Sequence, residues 1–202
     1  MECSFRPTVD GPVLGLHERG TFDRIFAQKE CWIASPLIME VVRLTQATAR
    51  EQRWSAYHPG RHDGIVRFLT VRHLAHTQHC AVHLIASSDQ IAGLGDWARA
   101  VLALSPEIRS VTLGLNTSRA NVAFAEPAVV LAGAAHIVAK PCGLELGVVG
   151  TRFLHTNSRP AEPRSPVALA AAPTPRPAPV PAPPRATGPH GRARRTGVHG
   201  RS

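Results

Sequence analysis

The sequence contains little of what a membrane, secreted or disulfide-stabilised protein requires. It has no run of about 18 apolar residues, the length that a membrane-spanning helix needs. Its N-terminus has no charged stretch followed by an apolar one, so we expect no secretory signal. Its four cysteines are scattered along 202 residues, as in proteins with reduced thiols rather than a disulfide framework. We therefore expect a cytoplasmic protein without a membrane partner.

Several motifs that mark common enzymes and metal sites are also missing. There is no G-x-S-x-G nucleophile elbow, and the "GLG" at 93–95 is only part of a G-x-G-x-x-G loop. The run "RHLAHTQHCAVH" holds four histidines and Cys80, but no second C-x-x-C or H-x(3–5)-H pair completes a zinc site. We interpret this run as a solvated, histidine-rich hairpin, and a metal-binding protein remains a third hypothesis.

Positive charge and proline are concentrated near the C-terminus. Residues 159–202 hold eight arginines and one acid, a net charge of +7, and eleven of the eighteen prolines; aromatic residues, lysine and aspartate are absent there. Such a composition buries too little apolar surface to offset the entropy of ordering, so we expect a disordered Pro/Ala/Arg tail. Residues 1–158 carry only +2 of the formal charge of +9, so the basic character belongs to the tail.

Residues 1–158 show strand-like and helical patterns. Ser35 and Pro36 predict the start of a first helix, and Asp96 lies in the first turn of a second, "GLGDWARAVLALS". The apolar face predicted for the first helix consists of Leu37, Val41, Leu44 and Thr48. The predicted strands are "MECSF", "PVLGLHERGTFDRIFA" with a break at Gly20, "GIVRFLTVRHL", "CAVHLIASS", "RSVTLGLNTS" and the hairpin "HIVAKPCGLELGVVG". The order β-β-α-β-β-α-β-β-β predicts an α+β fold with helices packed on a mostly antiparallel sheet.

Five segments match the motifs of one protein family in order and spacing. "MECSF" resembles its strand Asn-Lys-Met-Glu-Phe-Ser-Phe, and "LGLHERGTFDRIFAQKECWIASPLIMEVV" is similar to LGxHxRGxxxxIxxxxxCxLxxxxxNxxL. "RHDGIVRFLTVR", "VTLGLNTSRANV" and "GLELGVVGTRFLHTN" resemble three successive strands, the last leading into F-x-Q-[TV]-N. Residues 1–158 therefore resemble the central region of the S-adenosylmethionine-dependent RNA (uracil-5-)-methyltransferases.

This resemblance implies a function that the chain alone should not perform. In the family, a Rossmann-like domain follows; its glycine-rich loop binds S-adenosylmethionine, a cysteine attacks C6 of uracil and a glutamate acts as base. Here no D-x-x-C-G-x-G loop and no acid follow Glu162. The tail is mostly Pro, Ala, Arg and Gly, the residues that a GC-rich gene encodes when read out of frame. We therefore expect a truncated or frameshifted fragment of an enzyme for ribosomal or transfer RNA, inactive alone.

The resemblance also assigns candidate binding residues. Phe153, His155 and Asn157 match the motif that lines the uridine and cofactor pocket, although His155 replaces the usual glutamine and its two ring nitrogens present donor and acceptor separately. The candidate contacts to RNA phosphate are Arg61, Arg67, Arg72 and Arg119.

Cofactor and partner expectations follow from the same comparison. Cys31 occupies the position of one ligand of the family's iron–sulfur cluster, but a cluster needs four thiolates, so we expect Cys31 to be a lone remnant and no cluster to form. S-adenosylmethionine is expected for the full-length enzyme only. The expected partner is RNA, not DNA. The alternative hypothesis is a non-catalytic RNA-binding adaptor with a basic disordered tail.

Overall fold

A computed structural model of the 202-residue chain describes residues 1–21, 23–74, 76–125, 128–140 and 145–148. Within these ranges, nine strands and two helices follow one another along the chain. The elements are β1 (Glu2–Thr8), β2 (Gly11–His17), β3 (Ile25–Ala27), α1 (Pro36–Glu51), β4 (Val66–Leu74), β5 (His79–Ala86), α2 (Leu94–Ala103), β6 (Ile108–Leu115), β7 (Ala128–Gly133), β8 (Ile137–Ala139) and β9 (Leu146–Val148). No helix in the described ranges is both long enough and apolar enough to cross a bilayer.

Seven of these strands form one sheet in the order β3-β2-β1-β4-β5-β6-β7, and β8 pairs with β9 in a separate hairpin. Neighbouring strands run antiparallel except β5 and β6, which run parallel. The parallel pair needs a crossover, and α2 supplies it. The predicted α+β fold with a mostly antiparallel sheet is therefore confirmed. The predicted boundary at residue 158 and the tail at 159–202 lie outside the described residues.

An aromatic cluster holds both helices on one face of the sheet. The rings of Trp54 and Trp97 meet edge to face with centroids 5.8 Å apart, and Phe5 of β1 lies 6.4 Å from Trp54. Both indoles have hydrogen-bond acceptors, because Trp54 Nε1 donates to the Ala92 carbonyl over 2.7 Å and Trp97 Nε1 donates to Thr45 Oγ1 over 3.1 Å. Buried indoles with satisfied N–H groups combine a large apolar area with a fixed orientation.

Additional residues cover the opposite face of the central strands. Phe68 of β4, Ile85 of β5 and Ala125 form one small apolar cluster there, and the β8–β9 hairpin contributes Ile137 and Val148 to another. Strands β4 and β5 are consequently buried on both faces over most of their length. Polar side chains in the inner part of these strands, such as Arg67 and His83, are therefore enclosed.

Helix α1 begins where the sequence predicts, at Pro36 after the N-cap residue Ser35. Its buried face is wider than predicted and rotated, because the helix packs on the sheet and also on α2. Leu44 and Thr48 of the predicted face are only half-buried. The buried residues of the helix are Leu37, Ile38, Met39, Val41, Val42, Thr45 and Ala49.

Strand β7 is not predicted from the sequence, and β3 is predicted only as the part of a longer run beyond a break. The run "PVLGLHERGTFDRIFA", predicted to be broken by Gly20, forms two strands, β2 and β3, which pair through Gly15 and Ala27. A β-carbon at Gly15 would lie 1.8 Å from the Phe26 carbonyl oxygen, so only glycine permits this close pairing. Strand β7 is an edge strand with Val129 and Val130 exposed, so it lacks the burial pattern of an inner strand.

Candidate functional site

Arg67 is buried beneath the loop that follows β6. It is 1% exposed, and its guanidinium donates hydrogen bonds to the carbonyls of Asn116 (2.7 Å), Ser118 (2.7 Å) and Ala120 (2.6 Å). Its other face stacks on the Tyr57 ring, 4.1 Å from the centroid. Burial lowers the pKa of Arg67. Because its donors are enclosed by protein, Arg67 organises this loop and cannot contact phosphate, which corrects the sequence-based assignment.

Asn116 strengthens the same loop from within. Its amide nitrogen donates to the carbonyls of Val122 (3.1 Å) and Phe124 (2.8 Å), and its oxygen accepts from the backbone N–H and hydroxyl of Ser118. The neighbouring Arg119 is exposed. The loop therefore presents Arg119 to solvent from a backbone that two buried side chains fix, and Arg119 remains a candidate phosphate contact.

His83 of β5 is enclosed rather than solvated, which corrects the interpretation of the histidine-rich run. It is 1% exposed, and its Nδ1 lies 2.7 Å from Thr112 Oγ1 on β6. Burial lowers its pKa to about 4, so the ring is neutral at pH 7. A β-carbon at Gly114 would lie 2.6 Å from His83 Nε2 and 2.6 Å from the Ala125 side chain, so glycine makes room for the ring.

A cleft of about 960 Å³ lies between the start of α1 and the outer part of β4, and it contains two predicted residues, Cys31 and Arg72. Arg72 is half-buried, and burial lowers its pKa. Ser35 and His73 also line this cleft; the Ser35 hydroxyl lies 2.8 Å from His73 Nδ1, and His73 Nε2 lies 2.9 Å from a Glu107 oxygen.

This serine, histidine and glutamate resemble a nucleophile arrangement only in composition. His73 Nε2 is near Glu107 but makes no aligned hydrogen bond to it, so a carboxylate does not fix the ring as a catalytic base requires. Ser35 makes no side-chain capping bond to α1. Its hydroxyl instead joins the first turn of α1 to β4, which is a positioning role.

Two other cysteines in the described ranges, Cys3 and Cys80, are buried. Burial raises the pKa of Cys3 to about 11 and that of Cys80 to about 12, so both are protonated at pH 7. Among the described residues, no three His, Cys, Asp or Glu side chains are grouped as a metal site would need. The described residues therefore do not fit an iron–sulfur cluster at Cys31.

A second cleft, of about 570 Å³, contains three arginines, and we call it the arginine cleft. It lies between the β1–β2 turn, the C-terminal end of α1 and the segment leading to β4, and is lined by Arg50, Arg53 and Arg61. Arg61 is exposed and forms an ion pair with Asp63 at 2.9 Å. Sequence reasoning identified Arg61 but missed the other two; the basic pair around "AREQRW" was the available signal. Phe153, His155 and Asn157 lie outside the described residues.

Similar proteins were found among curated sequences. The chain is 25% identical over 150 residues to an uncharacterized RNA methyltransferase of Chlorobaculum tepidum, covering 74% of this chain and 31% of that protein. It is 25% identical over 167 residues to one from Caldanaerobacter subterraneus, covering 80% and 37%. It is 29% identical over 149 residues to one from Parasynechococcus marenigrum, covering 74% and 32%. The chain thus spans about a third of the length of these relatives.

A solved structure shares the fold. The tRNA (uracil-54, C5)-methyltransferase of Pyrococcus abyssi, in complex with S-adenosyl-L-homocysteine, superimposes with a TM-score of 0.65 at 16% identity. The match covers 84% of this chain and 39% of that one. No protein-family model matches the chain. The resemblance to RNA methyltransferases predicted from the motifs is therefore confirmed over part of the relatives' length.

Proposed function

We propose that this chain is the central region of an RNA (uracil-C5-)methyltransferase that acts on transfer or ribosomal RNA in the cytoplasm. The observation that carries the proposal is that the sequence comparison and the fold comparison agree. About three quarters of the chain aligns with proteins named RNA methyltransferases, and its fold matches part of a tRNA uracil-C5 methyltransferase. The family motifs noted in the sequence lie within residues 1–158.

In this proposal the catalytic chemistry belongs to the rest of the enzyme. S-adenosylmethionine supplies the methyl group when bound, and residues matching the uridine and cofactor pocket are Phe153, His155 and Asn157. Because these lie outside the described residues, we assign no catalytic step to the described part of the chain. The contribution of the described region is to form a rigid support that holds RNA, with Arg119 on a fixed loop.

A second candidate function is a non-catalytic RNA-binding adaptor. The observation that favours it is the net charge of +7 in residues 159–202, since an arginine-rich segment binds RNA without a catalytic domain. In that case the tail is the native C-terminus and its arginines carry the RNA affinity.

The nucleotide sequence beyond codon 158 separates these two functions. The methyltransferase proposal expects another reading frame there to encode a D-x-x-C-G-x-G loop and a later cysteine. A single intact frame confirmed by independent sequencing, together with loss of RNA affinity when the tail is deleted, would support the adaptor and exclude the fragment.

A further inference from the structure

We propose that the arginine cleft binds the phosphates of single-stranded RNA through Arg50, Arg53 and Arg61, an inference that rests on the proposed function. All three side chains are exposed. Within the described part of the chain, neither Arg50 nor Arg53 forms a side-chain ion pair or hydrogen bond, whereas Arg61 is paired with Asp63. The cleft therefore offers two guanidinium groups with all their donors available, and a third whose charge is partly compensated. Guanidinium forks match the paired oxygens of phosphate.

The backbone at Arg53 supports a functional role for its side chain. The end of α1 has the hydrogen bonds of a Schellman motif: Trp54 N–H donates to the Ala49 carbonyl (2.8 Å) and Arg53 N–H donates to the Arg50 carbonyl (3.2 Å). Arg53 occupies the left-handed position of this motif with φ of 52°. Glycine is the residue that this position favours, because a β-carbon is strained there.

A second strained residue lies in the segment that forms the other wall of the cleft. His62 has φ of 59°, and it sits in a tight turn where His58 N–H donates to the Asp63 carbonyl over 2.8 Å. Strained backbone at residues other than glycine concentrates at binding sites, where side-chain function outweighs the conformational cost. Of three such residues in the described ranges, Arg53 and His62 are next to or within the walls of this cleft.

The C-terminal end of α1 does not itself attract an anion, so anion binding in the cleft depends on the arginine side chains. A helix C-terminus carries partial negative charge, and Asp10 also lines the cleft. Arg50 and Arg53 extend from the last turn and the end of α1, where they offset that field. Removing them should therefore reduce anion binding sharply.

The test is RNA binding by the full 202-residue chain. The probe is a fluorescein-labelled 20-nucleotide oligouridylate, and its anisotropy is measured from 0.05 to 0.3 M salt for the parent and for the double variant Arg50→Ala/Arg53→Gly. Each phosphate contact on a single strand contributes about −0.7 to the slope of the logarithm of the association constant against the logarithm of the salt concentration. The loss of two contacts should therefore make this slope shallower by about 1.4 and raise Kd about 25-fold at 0.1 M salt.

The control removes the same charge elsewhere. Arg99→Ala/Arg109→Ala alters two exposed arginines that do not line the cleft, of which Arg99 is ion-paired with Asp96, and it should change Kd by less than about threefold, because exposed charges that do not contact the RNA are screened. Melting temperature is measured for every variant. Arg53→Gly alone should weaken RNA binding about fivefold while its melting temperature stays equal to that of the parent or rises, a combination that a purely structural role for Arg53 does not produce.

Two outcomes overturn the inference: Kd values for the cleft and control variants that agree within twofold, or a parent chain that does not bind the oligonucleotide at 0.05 M salt. Labelled methyl transfer to uridine is assayed separately, for a protein in which residues 1–158 are joined to the product of the alternative reading frame. If methyl transfer occurs but the cleft variant does not change Kd, only the inference that the arginine cleft binds RNA is overturned. A cleft-dependent Kd without methyl transfer would overturn only the methyltransferase proposal.

Discussion

Replacing Arg67 with methionine tests whether one buried guanidinium fixes the loop after β6. Methionine has a similar length but no donors, so the carbonyls of Asn116, Ser118 and Ala120 lose three hydrogen bonds of 2.6–2.7 Å. A hydrogen bond from a charged donor contributes about 1.5–3 kcal/mol, and removing a buried charge recovers part of its desolvation cost, so we expect a net loss of about 3 kcal/mol in the free energy of unfolding.

Urea denaturation followed by far-ultraviolet circular dichroism measures this loss. The control is Arg109→Met, an exposed position where a change within about 0.5 kcal/mol is expected. Hydrogen exchange of the amides at 116–120 should accelerate in the Arg67 variant, because the loop carbonyls lose the guanidinium that donates hydrogen bonds to them. A loss below about 1 kcal/mol, or unchanged exchange in this loop, would refute the assignment of Arg67 as the organising residue.

Three further predictions concern the core and the surface. Burial lowers the pKa of His83 in the folded state to about 4. As the pH falls from 6.5 towards 4, His83 is therefore protonated in the unfolded chain but stays neutral in the folded one. The free energy of unfolding should therefore decrease by up to about 3 kcal/mol in that window, and urea titrations should show the effect disappear in His83→Gln. Gly114→Ala should lower the free energy of unfolding by about 2 kcal/mol, since its β-carbon would overlap the His83 ring; a denaturation midpoint equal to that of the parent contradicts this packing. Iodide should quench Trp32, which is 96% exposed, but not the two buried tryptophans, and Trp32→Phe should remove the quenchable signal.

Much of the fold follows from local patterns in the sequence. Ser35 and Pro36 marked the start of α1 correctly, and the apolar runs around the histidine-rich connection predicted the β4–β5 pair. The missed strand, β7, and the imprecisely predicted one, β3, have tertiary causes. Strand β3 has only three residues and depends on the absence of a side chain at Gly15, and β7 is an exposed edge whose pairing with β6 is not encoded in a burial pattern.

The candidate site was less predictable because burial of polar residues depends on the whole fold. Arg67 looks like any surface arginine until the loop at 116–120 closes over it. His83 looks exposed until residues beyond β6 cover β5. Arg53 could not be singled out, since its left-handed conformation appears only when the end of α1 is seen. In each case the sequence specifies the residue, and the packing of distant segments specifies its role.

Transfer of a labelled methyl group from S-adenosylmethionine to unmodified tRNA and rRNA transcripts tests the central claim most directly. The enzyme for this assay carries residues 1–158 joined to the product of the alternative reading frame, and the 202-residue chain serves as comparison. We expect 5-methyluridine from the joined enzyme and none from the 202-residue chain alone. Methylation at another base, or 5-methyluridine formed by the 202-residue chain unaided, would contradict the account.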